Sequence, residues 1–273
     1  MPEKPEVITV ANTLKKQIIG KKIKEVDVLW DNIIAKPSVS LFKKRLVGEE
    51  IIDITTRGKF IVIVLNNYVL LIHLRMEGKF FFRKKGDEVN KHEHVIIRFA
   101  DNIEMRFHDT RKFGKMYLLD KVSYLYEKPI IDLGLEYNDK NLSEKYLFDK
   151  LKNKNIPIKT SLLDQSIITG IGNIYDDEIL FLSGISPLRK SKDIKLSECK
   201  KIIDNTKIVL DKAVKKGGTT IKSFTSSEGV HGLFQNELLV HGKKNSTCPN
   251  CGKEIAVIRV GGRGTYYCKH CQK

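Results

Sequence analysis

The chain has 273 residues, with 49 Lys and Arg against 33 Asp and Glu and a formal net charge of +16. Its 41% hydrophobic content supplies a core and excludes wholesale disorder, and at roughly 100–200 residues per domain the length suggests two compact units. No apolar run approaches the ~18 residues of a membrane helix, and MPEKPEVITV lacks the basic-then-apolar layout of a secretory signal, so a soluble cytoplasmic chain is expected. The positive excess is spread along the chain and suggests a polyanionic partner. Nucleic acid is the first candidate and an acidic membrane surface the second, with a merely solvated Lys-rich surface as the bland alternative.

Residues 5–18 read as an amphipathic helix with Val7, Val10, Ala11, Leu14 and Ile18 on one stripe. From 22 to 120 short β-rich runs follow, at 23–30, 49–58, 59–67, 68–76, 79–83, 94–100, 103–109 and 115–120. Their spacing and Gly/Asn punctuation predict an antiparallel sandwich or barrel. Residues 126–139, with Pro, Gly and no periodicity, read as an interdomain linker. Helical spacing then appears in 146–153, 161–170, 173–184 and 196–218. In the third of these Asn173 is placed to cap the helix, and Asp176, Asp177 and Glu178 suit the positive end of its dipole. A turn-rich stretch follows at 217–232, and the closing segment reads as a β-hairpin bracketed by cysteines.

Cys248, Cys251, Cys268 and Cys271 form two CxxC knuckles sixteen residues apart. This spacing sets four thiolates around one ion, and tetrahedral sulfur ligation suits Zn²⁺, with rubredoxin-like iron as the rival. A closed four-Cys site builds structure and leaves no open position for catalysis. Cys199 falls on a helical stripe and reads as core. Between the knuckles, Gly261-Gly262-Arg263-Gly264 reads as a hairpin tip projecting one Arg, either a phosphate grip or an ordinary exposed turn residue. GIGNIY (170–175) feeds a helix through Asn173, which can donate to a phosphate or simply cap. At the other end, removal of Met1 makes Pro2 a free secondary amine followed by Glu3, with Glu6 one turn on. Such an amine condenses with a sugar carbon to an iminium, an electron sink, and an adjacent carboxylate can shuttle protons.

These features together resemble the formamidopyrimidine-DNA glycosylase family of bacterial base-excision enzymes. The resemblance covers essentially the whole chain: MPEKPEV, TTRGKF (55–60), HLRMEG (73–78), DTRKFG (109–114), LLDQSIITGIGNIYDDE (162–178), GGTTIKSF (217–224), GLFQNELLVHG (232–242) and the zinc finger occur in family order. It implies an α+β chain: an N-terminal β-sandwich with an N-terminal helix, then a helical domain with a helix–two-turn–helix element and a β-hairpin zinc finger. The implied divisions are 1–125, a linker at 126–139, a helical domain at 140–234 with a lesion-recognition loop at 217–232, and the finger at 235–273.

By the same resemblance Pro2 is the nucleophile, Glu3 the acid/base, Glu6 a supporting carboxylate and Lys59 a catalytic-site phosphate ligand. His73, Asn173, Arg263 and His241 are implied phosphate contacts, although His73 alone in YVLLIHLRM also reads as a satisfied core histidine. Met76, Arg111 and Phe113 are the implied residues that fill the gap left by an everted base, an apolar wedge and an Arg suiting that task. Two positions depart from the family's common pattern: Lys4 stands where Leu is usual, altering packing or reaching solvent, and His241 where Tyr is usual.

The expected function is a bifunctional DNA glycosylase/AP lyase that removes oxidised purines (8-oxoguanine and formamidopyrimidines) by a proline Schiff base and β,δ-elimination. Expected alongside it are one structural Zn²⁺, no catalytic metal or organic cofactor, damaged double-stranded DNA as partner, a monomer, no membrane, and a bacterial-type cytoplasmic location on the nucleoid. The alternatives are an oxidised-pyrimidine glycosylase of the same family and a catalytically silent zinc-finger DNA-binding protein.

Overall fold

The computed structural model describes residues 1–219 and 232–273. The chain divides into two compact units, Met1–Ile131 with Gly217–Gly232, and Asp132–Lys216 with Leu233–Lys273. No helix among the described residues is long and apolar enough to cross a membrane.

The first unit opens with α1 (Lys4–Ile18), whose stripe from Val7 to Ile18 is at most 3% exposed. Burying each such aliphatic side chain is worth about 1.5–3 kcal/mol, so this stripe fixes how the helix lies. There follow β1 (Ile23–Val28), β2 (Ile34–Lys36), α2 (Val39–Leu46), β3 (Ile51–Arg57), β4 (Phe60–Leu65), β5 (Tyr68–His73), β6 (Lys79–Lys84), β7 (Glu93–Phe99), β8 (Ile103–His108) and β9 (Lys115–Asp120). They make a four-stranded sheet in the order β1-β7-β8-β6 and a five-stranded sheet in the order β2-β9-β5-β4-β3. One core joins them: Val95, Ile97, Met105 and Phe107 from the first sheet pack with Ile61, Ile63, Leu70 and Ile72 from the second, and with α1. The expected sandwich is present, with a first departure in β2, which pairs parallel to β9. Helix α2 is a second departure. It is short, and only Phe42 and Leu46, one turn apart, are buried.

The second unit holds β10 (Leu135–Glu136), α3 (Glu144–Leu151), α4 (Ile158–Leu162), β11 (Ile168–Thr169), α5 (Asn173–Ser183), α6 (Leu196–Lys215), β12 (Ala256–Val260) and β13 (Arg263–Tyr267). Residues 161–170, expected to be helical, are only the end of α4 followed by a turn and β11. Polar side chains stop the helix there by capturing backbone groups: Asp164 Oδ1 accepts from Ser166 N at 3.0 Å, and Gln165 bonds to Ile171 O and Gly170 N, each at 2.9 Å. Gly172, not Asn173, takes the cap position of α5. β10, from residues read as linker, pairs parallel with β11. Helices α3, α5 and α6 share a core that includes Leu147, Tyr175, Ile179, Cys199, Ile202 and Leu210, which places Cys199 as expected.

Candidate active site and nucleic-acid interface

The start of α1 gathers three of the expected residues. Pro2 is buried, Glu3 is 3% exposed and occupies the helix cap position, and Glu6 is 4% exposed. Glu6 uses both carboxylate oxygens structurally: Oε2 accepts from Glu3 N at 2.8 Å, while Oε1 accepts from Thr219 N at 2.7 Å and Thr219 Oγ1 at 3.1 Å. A carboxylate so engaged holds the Pro2–Glu3 segment in place and does not suit proton shuttling. Lys4 does not reach solvent. It is 4% exposed and its Nζ donates to Thr56 Oγ1 on β3 at 3.0 Å, tying the chain start to the β3–β4 hairpin. That hairpin turns through Gly58 and Lys59, and Lys59 is 6% exposed.

Cross-strand register sets Phe60, next to Lys59, opposite His73, and their rings meet edge-on at 4.8 Å. Burial, with the Arg75 and Lys59 charges, depresses the His73 imidazole from 6.5 to about 3, so the ring is neutral at physiological pH. Its Nδ1 accepts from Arg75 N at 3.0 Å, which puts the ring proton on Nε2. One nitrogen of His73 is thus satisfied structurally and shapes the turn that carries Met76, and the other carries the ring proton.

Met76 is half-buried in the β5–β6 loop, while Arg111 and Phe113 are exposed in the β8–β9 loop, with the Arg111 guanidinium 4.9 Å from the Phe113 ring centre. Asp109, fully buried, organises the second loop by accepting from Arg111 N at 3.0 Å and Gly114 N at 2.7 Å. Its backbone is held in turn by His92 O and by His94 Nε2, which donates to Asp109 O at 2.8 Å. Sequence reading did not single out Asp109. Its signal was an Asp two residues before a residue whose N–H needs a partner.

In the second unit Asn173, Arg263 and His241 come together through α5 and the closing hairpin. Strand β13 begins at Arg263, opposite Val260, so Gly261 and Gly262 alone make the turn and Arg263 is an exposed first strand residue, not the centre of a four-residue tip. Asn173 Nδ2 donates to Gly264 O at 2.9 Å. His241 Nδ1 bonds to Asp177 Oδ2 at 2.7 Å and its ring lies 4.8 Å from that of Tyr266. Asp176 lies in the first turn of α5, at the expected dipole end, with Asp177 and Glu178 just after it; all three are buried, and the last two connect α5 to its surroundings. Asp177 also takes Lys159 Nζ at 2.6 Å, and Glu178 accepts from the backbone N of Leu239, Val240 and His241. Burial raises the Glu178 carboxyl above its ordinary value, against those three donors. Lys159 had no periodic or motif signal, because its partner lies 18 residues away.

The four knuckle cysteines bring their Sγ atoms within 4.8 Å of one another, with Cys248 to Cys271 at 3.9 Å and Cys251 to Cys268 at 3.5 Å. Sulfurs about 2.3 Å from a tetrahedral ion lie about 3.8 Å apart, so the set fits one structural Zn²⁺. The finger is sewn to the segment that follows α5: Gln272 Oε1 accepts from Cys268 N at 2.8 Å and Gln272 Nε2 donates to Ile185 O at 2.9 Å.

Comparison with known proteins then decides the family. Residues 1–116 match the formamidopyrimidine-DNA glycosylase N-terminal domain, 133–225 its H2TH domain, and 245–273 the zinc finger found in FPG and IleRS. The formamidopyrimidine-DNA glycosylase of Oceanobacillus iheyensis is 43% identical over 273 residues, covering 100% of this chain and 98% of that protein. The chain belongs to the formamidopyrimidine-DNA glycosylase family. The Bacillus subtilis member is 42% identical, covering 100% of this chain and 99% of its own. Among solved structures, wild-type Lactococcus lactis Fpg with DNA containing N7-benzyl-Fapy-dG superposes at a TM-score of 0.92 with 36% identity, covering 100% of both chains. An Fpg from the same organism with abasic-site DNA does so at 0.92 with 36% identity and 99% of each chain. The α+β fold and the finger of this chain are those of the family.

Proposed function

We propose that this protein is a DNA glycosylase of base-excision repair, with AP lyase activity, acting on oxidised purines in duplex DNA. The observation that carries the reading is the chain start: a buried Pro2, with Glu3 beside it and Glu6 holding the segment through three hydrogen bonds, in a chain similar to glycosylases along its full length. With Met1 removed, the Pro2 nitrogen attacks C1′ of the damaged nucleotide, the base leaves, and the iminium so formed makes β- and then δ-elimination accessible. Glu3 supplies and accepts protons at the sugar. Lys59, in the β3–β4 turn, and His73, set opposite the neighbouring Phe60 by the β4–β5 register, contact phosphate near the lesion, Lys59 as a cation and His73 as a neutral donor. Asn173, Arg263 and His241 contact the backbone from the second unit. Met76, Arg111 and Phe113 occupy the gap left by the flipped base.

The zinc held by Cys248, Cys251, Cys268 and Cys271 supplies structure, fixing the hairpin that presents Arg263. The lesion-recognition role assigned to 217–232 falls mostly on residues outside those described. The protein is proposed to act as a monomer in the cytoplasm.

Borohydride trapping on a duplex with 8-oxoguanine opposite cytosine is the test. A covalent adduct whose proteolytic map places the link on the Pro2 nitrogen is expected, with faster turnover of 8-oxoguanine than of thymine glycol. Attachment at any other amine overturns the mechanism, and the reverse lesion preference overturns the substrate class.

A further inference from the structure

The β5–β6 and β8–β9 loops leave the sheet from the same rung, since the β6–β8 register pairs Lys79 with His108. Continued outward by two residues on each strand, that register sets Glu77 opposite Thr110, and one residue further Met76 opposite Arg111. The ladder itself has ended there, but a side-chain bond replaces it: Thr110 Oγ1 donates to Glu77 Oε2. Below this bond the loops share a floor. A Cβ built on Gly78 would lie 2.8 Å from Phe107 Cζ, and one built on Gly114 2.6 Å from the same atom. Both backbones are thus pressed onto one ring, itself buried edge-on against Phe80 at 5.3 Å.

Within DTRKFG the residues alternate between anchors and presented side chains. Asp109 is buried, Thr110 bonds Glu77, the Lys112 ammonium sits 3.9 Å from the Trp30 ring centre, and Gly114 rests on Phe107. Arg111 and Phe113 stand exposed between them, Phe113 at 49%. Each member of the Thr110–Glu77 bond is the immediate chain neighbour of a residue proposed to fill the gap in DNA.

We infer that Glu77 and Thr110 are positioning residues for gap filling, a clamp that joins the two loop tips and sets where Met76 and Arg111 lie. The inference rests on the gap-filling role proposed above. A loop residue that must enter stacked DNA is useful only when held to within a fraction of an ångström, and two tips that splay independently lose that definition. The clamp acts beyond the last backbone rung, where no ladder bond can do so. Thr110 must donate and Glu77 must accept, so Ser and Gln can substitute at these positions and Val cannot.

The test is single-turnover base release from an 8-oxoguanine duplex, beside cleavage of a preformed abasic site in single-stranded DNA, where no opposite strand has to be supported. Thr110→Val, which keeps the shape and loses the donor, is expected to slow base release from duplex about tenfold, as for a loss of about 1.4 kcal/mol in the transition state. Single-strand cleavage should be unchanged, and Thr110→Ser and Glu77→Gln should act on duplex as the parent does. Equal loss on both substrates would make the bond a fold contact and overturn the clamp, as would an unaffected duplex rate. Met76→Ala runs alongside. If it slows duplex release while Thr110→Val does not, the clamp alone falls; if it too is silent, the gap-filling reading falls and takes the clamp with it.

Discussion

Two loops of this protein each present one arginine with glycine nearby, and they are built on different physics. Arg111 stands in DTRKFG, where side chains do the anchoring: the Asp109 carboxylate, Thr110 on Glu77, Lys112 over Trp30. Its glycine is required by space, since Gly114 has no room for a Cβ beside the Phe107 ring. Arg263 stands at the mouth of a two-residue hairpin, where backbone conformation does the work. Gly261 and Gly262 have φ of +55° and +77°, the left-handed pair that matches strand twist, and the cysteine cluster pins the strands behind them. As letters the two look alike, an arginine with glycine nearby. Their failure modes differ, and that difference can be measured.

Metal removal should separate them most strongly. Cys268→Ala is expected to abolish zinc binding and free the hairpin, because the apparent free energy of structural zinc, about 10–16 kcal/mol, is also what orders such a small element. Arg263 and the Gly264 carbonyl that holds Asn173 then lose their placement. Two phosphate contacts at about 1.5–3 kcal/mol each predict at least a ~100-fold weaker duplex affinity. The first unit, with its own core, should keep its urea transition. Unchanged DNA affinity with the metal gone would show that Arg263 does not depend on the finger.

The glycines sharpen the contrast at smaller magnitude. Gly114→Ala forces a Cβ to 2.6 Å from Phe107 Cζ and 2.7 Å from Cε1, and overpacking of this kind costs about 1–3 kcal/mol. Gly262→Ala meets nothing within 4 Å and carries only left-handed strain, about 1 kcal/mol. Relief should follow the mechanism. Phe107→Leu is expected to restore part of the stability lost in Gly114→Ala, and Gly262→Asn to be milder than Gly262→Ala, since Asn tolerates that φ. Equal behaviour of the two positions in chemical denaturation would erase the distinction drawn between them.

Much of this was legible in the residues and some was not, for one physical reason. Features that repeat at short range were readable: the α1 stripe, the eight principal strand runs of the first unit, and the paired CxxC knuckles, all set by spacings of two to four residues. Features made by long-range pairing were not. The Thr110–Glu77 bond spans 33 positions and Lys159–Asp177 spans 18, and no periodicity announces them. Residues 161–170 misled for the opposite reason. Their apolar spacing is helical, but Asp164 and Gln165 bind neighbouring backbone groups and end the helix. The cap of α5 was read one residue late: Gly172 caps, which leaves the Asn173 amide to reach Gly264.

The smallest effect concerns His73, whose buried imidazole should make the loop partnering DTRKFG respond to pH. In the unfolded chain this imidazole takes a proton near 6.5, whereas in the folded protein burial and the Arg75 and Lys59 charges hold it off until about 3. Between those values the unfolded state binds more protons, so stability rises with pH. The contribution is fully present above about 6.5 and is lost as pH falls below it. At pH 5.5 the loss should be about 1 kcal/mol, from one pH unit below an ordinary imidazole. Protonation of Nδ1 would also remove the acceptor for Arg75 N and loosen the turn that carries Met76. His73→Gln cannot titrate, so between pH 7.5 and 5.5 its first-unit urea transition should weaken by about 1 kcal/mol less than the parent's. If parent and variant weaken equally, the buried imidazole is not what links this loop to pH.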